Sequence, residues 1–210
     1  MAIGDTSARA GLVRQAFMLE WVTLAWVALE AGAGLWTGWQ AHSVSLIAFG
    51  ADSVIEALSA CVLLWRLDLE LRKGAAVSQA AERTASKISG ALLFALAAYV
   101  VASAAWALWT REGQAFSPLG LAIAAAAIPV MYLLAKRKLS IAGRIESNAL
   151  RADAMESITC GWLSFVVVIG LVAQLALGAW WVDSVTSLAI LYFLVKEGRE
   201  AWRAEACGCC

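Results

Sequence analysis

The sequence predicts an all-α protein, a polytopic membrane bundle of six transmembrane helices. Three observations predict this class. The chain is 62% hydrophobic over 210 residues, with 11 Trp and only 2 Pro, whereas a soluble domain averages under half apolar. Six apolar stretches, at 17–38, 43–65, 88–109, 117–135, 152–177 and 181–195, run near the length a spanning helix needs, about 20 residues. The basic residues gather in alternate connections rather than spreading through the chain.

The first stretch follows an amino terminus bearing Arg9 and Arg14. It is too long for a signal-peptide core and no small-residue cleavage site follows, so it reads as the first anchor. It carries Glu20, Glu30 and the small-residue packing pair of GLWTG, Gly34 and Gly38. A tight turn, Trp39 to His42, leads to the second stretch, which contains GADSVIEALSAC. Its Cys61 falls on the far face from Asp52 and reads as a packed thiol. Connection 66–87 is polar and holds Arg66, Arg72, Lys73, Arg83 and Lys87. The third and fourth stretches are joined tightly between Thr110 and Ser117. Connection 136–151 is again polar and long, with Lys136, Arg137, Lys138, Arg144 and Arg151. The fifth and sixth stretches turn tightly near Gly178 to Trp181, and Lys196, Arg199 and Arg203 follow.

Only Arg111 falls on the side opposite to these basic residues. The positive-inside rule therefore predicts a multi-pass protein of the cell (inner) membrane with both termini cytoplasmic. Trp36, Trp39, Trp106, Trp109, Trp180 and Trp181 cluster at the outer ends as an interfacial belt. Residues 1–200 form the predicted transmembrane domain, and 201–210 a short cytoplasmic Cys-rich tail. The lipid bilayer is the surrounding partner. The net charge of zero gives no reason to expect nucleic acid.

The acids carry the functional signal. Glu20, Glu30, Asp52, Glu56, Asp153, Glu156 and Asp183 lie within the predicted spans, with no Lys or Arg placed deep beside them. A charge at the bilayer centre costs about 2.5–3.5 kcal/mol even on the insertion scale. Such acids must hold a proton or a cation. Asp52 and Glu56 are four residues apart, on one helix face with Ser59. Asp153, Glu156, Cys160 and Ser164 make a second stripe on the fifth helix. Facing each other, the two ladders offer a four-ligand site for a divalent metal.

The other acids read differently. Glu20 near the cytoplasmic end reads as an interfacial acid. Glu30 reads equally as a proton carrier or as a protonated acid bonded to a neighbouring helix. Asp183 before Ser184 and Thr186 reads as a helix N-cap. His42, the single histidine, reads as a solvated loop residue. In the tail EACGCC, Cys207, Cys209 and Cys210 suit metal capture, with lipidation as the competing reading.

FGADSVIEALS and ALRADAMESITCGWLS resemble the second- and fifth-helix motifs of the cation diffusion facilitator (cation efflux) family. The resemblance implies a six-helix metal/proton antiporter with Asp52, Glu56, Glu156 and Cys160 as metal ligands. Glu156 stands where the family motif has His, and Cys160 where it has Asp. Asp153, Glu30 and the tail cysteines are possible auxiliary metal or proton groups. Full-length members usually add a cytoplasmic ferredoxin-like domain after the sixth helix; this sequence ends at Cys210, so it resembles a short form.

The expected function is proton-coupled efflux of a divalent cation, zinc first, with cadmium or cobalt as alternatives. No resident cofactor is expected, protons serve as counter-ion, and a homodimer is expected through membrane surfaces. The alternative is a membrane metal-binding sensor or accessory protein without turnover. No Ser/His pair or HExxH motif is present, so an enzyme is not expected.

Overall fold

The computed structural model describes residues 3–73, 79–111 and 115–203. Six helices follow one another: α1 Ile3–Ala41, α2 Val44–Lys73, α3 Gln79–Thr110, α4 Pro118–Ile145, α5 Asn148–Leu177 and α6 Val182–Arg203. The first five are long and apolar enough to cross a membrane; α6 is shorter and carries Lys196, Glu197, Arg199 and Glu200. The tail cysteines Cys207, Cys209 and Cys210 lie outside the described residues.

Local chemistry sets the helix ends. Ser117 caps α4 by accepting from the Gly120 N–H, and Pro118 opens the helix where its missing N–H is not needed. Ser147 caps α5 through the Leu150 N–H. Gly178 closes α5 in the left-handed region at φ +60°, its N–H returning to the Gln174 carbonyl. α2 has a double cap. Ser43 Oγ accepts from the Leu46 N–H, and the Asp183 carboxylate of α6 accepts from the Val44 N–H at 2.7 Å and from the Ser43 and Ser45 hydroxyls. Asp183 is thus a cap, as its sequence context predicts, but of α2 rather than of its own helix.

One expected connection is not a loop. Residues 136–145 continue α4, and only Glu146 and Ser147 separate it from α5. The basic run KRK reads as a connection by charge, yet Lys and Arg are good helix formers and their stems extend a helix past the apolar layer. α2 likewise extends to Lys73, beyond the expected end of its span.

α1, α2, α5 and α4 contact one another in a closed ring, α1 against α2, α2 against α5, α5 against α4, and α4 against α1. α3 and α6 pair with each other and lean on α2, and α6 also touches α5. The closest approach is between α1 and α2. A Cβ built on Gly34 would lie 2.9 Å from Gly50 Cα, and one on Gly38 would lie 2.7 Å from Ile47 N. The small residues of GLWTG therefore bring two backbones into contact, as small residues do between membrane helices.

The bundle is apolar outside and partly polar inside. Trp109 is 86% exposed and Trp39 76%, whereas Glu20, Glu30, Lys138 and Ser157 are fully buried. The turns α1–α2, α3–α4 and α5–α6 share one end, tied by the Asp183 cap and by Ala115 N–H donating to the Ala41 carbonyl. This aromatic end carries the six tryptophans named above. The other end carries Arg66, Arg137, Arg144 and Arg151. There Val13, Leu63, Leu67, Ala142, Ile145 and Leu150 pack into an apolar plug.

Candidate metal centre

Glu20, Glu30, Glu56 and Asp153 each meet a residue of another ring helix. On α1, Glu30 accepts a hydrogen bond from the Trp26 indole N–H one turn earlier, and from the Ser53 hydroxyl of α2 at 3.4 Å. On α2, Glu56 accepts from the Ser157 hydroxyl of α5 at 3.2 Å. On α5, the Cys160 thiol lies 3.9 Å from Glu30 Oε2. Val27, Met131 and Leu134 pack around that thiol and wall it from the lipid side.

Glu30, Glu56 and Cys160 thus converge, one from each of three helices, with one ligand atom apiece within 4.8 Å of one another. Oxygen and sulfur ligands of a tetrahedral zinc lie roughly 3.3–3.8 Å apart, given bond lengths of about 2.0 and 2.3 Å. Glu56 Oε2 is buried and has no hydrogen-bond partner. A bare carboxylate oxygen in a dry site is unfavourable unless a cation or proton meets it.

The predicted ligands divide. Glu56 and Cys160 come together. Asp52 is buried one turn from Glu56 but stands outside the three-residue group. Glu156 is only half-buried and turns toward Ser59 of α2. Glu30, an auxiliary candidate by sequence, is the third residue of the group.

Asp153 lies in a separate layer toward the basic end. It pairs with Lys138 of α4, whose Nζ also lies 3.2 Å from Glu20 Oε2 and 3.4 Å from Ser157 Oγ. The sequence places Lys138 in a connection and Glu20 at the interface; both are fully buried. One signal does locate Lys138. The buried positions Ala127, Met131 and Leu134 of α4 extend at helical spacing through Lys138 to Ala142 and Ile145. On α6, Glu197 continues the buried line Asp183, Ser187, Ile190, Leu194 and stands within electrostatic reach of Asp52 and Glu156. The sequence reading missed it. Cys61, expected to be packed, is exposed on the outer face of α2.

Residues 21–205 match the model of the cation efflux transmembrane domain. An uncharacterized transporter of Synechocystis sp. is 28% identical over 184 residues, covering 86% of this chain. The chain spans 58% of that relative's length. With the family model covering all six helices in part or whole, and a ring of helices closing on buried carboxylates and a thiol, the chain belongs to the cation efflux family.

Proposed function

We propose that this protein exports a divalent metal cation from the cytoplasm in exchange for protons, with zinc as the first expected substrate and cadmium or cobalt as alternatives. The observation that carries the reading is the Glu30, Glu56 and Cys160 group, fully inside the bundle, with one carboxylate oxygen unpartnered. Two oxygens and a sulfur suit a borderline-soft ion better than calcium or magnesium, which take oxygen alone. Asp52, one turn from Glu56 on α2, is the natural relay toward the aromatic end.

Proton coupling follows from the ligand chemistry. Carboxylates and a thiol bind metal only after losing their protons, so loading releases protons and protonation expels the metal. The positive-inside distribution supports both termini in the cytoplasm and a place in the cell (inner) membrane. A homodimer would form through the exposed apolar faces.

The test is flux in proteoliposomes with zinc inside and a pH indicator outside. Zinc release should rise with an opposing proton gradient and carry protons the other way. Zinc bound by the purified protein with no flux under any gradient would favour a binding or sensing role and sink the transport reading.

A further inference from the structure

The layer below the metal centre has its own chemistry. Glu20 of α1, Asp153 and Ser157 of α5, and Lys138 of α4 meet in the basic half of the ring. Glu20 precedes Glu30 by ten residues of α1, about 15 Å along a helix. Lys138 and Glu20 are 0% exposed, and Asp153 5%. Two carboxyl groups share one ammonium. Glu20 Oε1 and Oε2 and Asp153 Oδ1 are buried and accept no hydrogen bond. The donors are all oxygen, with no sulfur or imidazole among Glu20, Asp153 and Ser157.

We propose that Glu20, Asp153 and Ser157 form a second cation site, selective for hard divalent ions by its donor set, and that Lys138 fills it as a tethered cation. The side chain reaches the position an ion would take, donating to Asp153 and to the Ser157 hydroxyl and standing 3.2 Å from Glu20 Oε2 as an ion pair. Lys138 thereby limits the core to one exchangeable metal. A transported ion passing between the metal centre and the basic end meets carboxylates already neutralised, and is not trapped there. Ser157 joins the layers, since it accepts from Lys138 and donates to Glu56. Lys138 is therefore also a positioning residue for Glu56.

This proposal stands independently of the transport reading, because it concerns the number of ions bound. The full chain is purified in detergent and given one equivalent of zinc per chain, enough to fill the Glu30, Glu56 and Cys160 group and leave no free zinc to compete with manganese. Manganese is then titrated, and free manganese is followed by its electron paramagnetic resonance signal. Lys138→Gln should bind about one more manganese per chain than the wild type. Lys138→Arg should bind no more than the wild type, and Lys138→Gln combined with Asp153→Asn should lose the extra ion. Equal manganese binding by wild type and Lys138→Gln overturns the proposal, as does survival of the extra ion without Asp153. A wild type that binds no zinc contradicts the proposed function and leaves this difference readable. If Lys138→Gln unfolds without metal, manganese added during purification should restore a folded protein. No rescue by manganese, with rescue by the neutral combination Glu20→Gln, Lys138→Met and Asp153→Asn, also overturns the proposal.

Discussion

Among single residues, side chains that touch the ion differ in expected effect from those that only support them. Glu30, Glu56 and Cys160 are assigned to the ion. Glu56→Gln keeps size and hydrogen bonding but removes the charge, and a neutral amide is easier to bury than a carboxylate. The variant should therefore insert and fold yet lose zinc binding, and Glu30→Gln should do the same. Ser157→Ala removes a support rather than a ligand. Its expected effect is about 10–100-fold weaker zinc affinity, the usual size of such outer changes. Competition titration against a zinc chelator measures all three. Ser157→Ala with a larger loss than Glu56→Gln would invert the assignment. The Asp52/Glu56 and Glu156/Cys160 pairs were legible because spacing along one helix is visible in sequence. The inclusion of Glu30 was not, because it depends on how α1 is rotated against α2 and α5.

At the scale of elements, the sequence located the membrane helices and missed where some of them end. Apolar runs show which residues prefer lipid or core, and they fall silent where a helix continues into charged residues. The basic part of α4 is such a case, and Lys138 was hidden by it. GLWTG marks a packing face on α1, but that its partner is α2 was not legible, because small residues do not name the helix they meet. Gly38→Ala should push α1 from α2, since the added carbon would meet Ile47 N at 2.7 Å. We expect a loss of about 1–3 kcal/mol, the range for overpacking. Asp183→Ala should cost about 0.5–2 kcal/mol through the lost cap of α2. Thermal unfolding in detergent reads both. An unchanged midpoint for Gly38→Ala would mean that the two helices are less tightly apposed than described.

At the scale of the whole molecule, the ring of α1, α2, α5 and α4 stacks two polar layers along one axis, and α3 with α6 braces its side. The exposed tryptophans and the buried acids are two sides of one inversion, apolar outward and charged inward, which a lipid solvent requires. The stacking itself was not readable from the sequence, because no rule of periodicity says that Glu20 and Asp153 will share a lysine from α4. The central claim is that the ion sits between carboxylates and the Cys160 thiol. Cadmium tests it most directly, since cadmium–thiolate bonds absorb in the ultraviolet. The protein for this measurement retains Cys160 as its single cysteine, with Cys61, Cys207, Cys209 and Cys210 changed to Ser. The expected result is a cadmium–thiolate band that saturates at one ion per chain, disappears with Cys160→Ser and is lost again with Glu56→Gln. Stoichiometric cadmium binding without that band, or a band indifferent to Glu56, would contradict it.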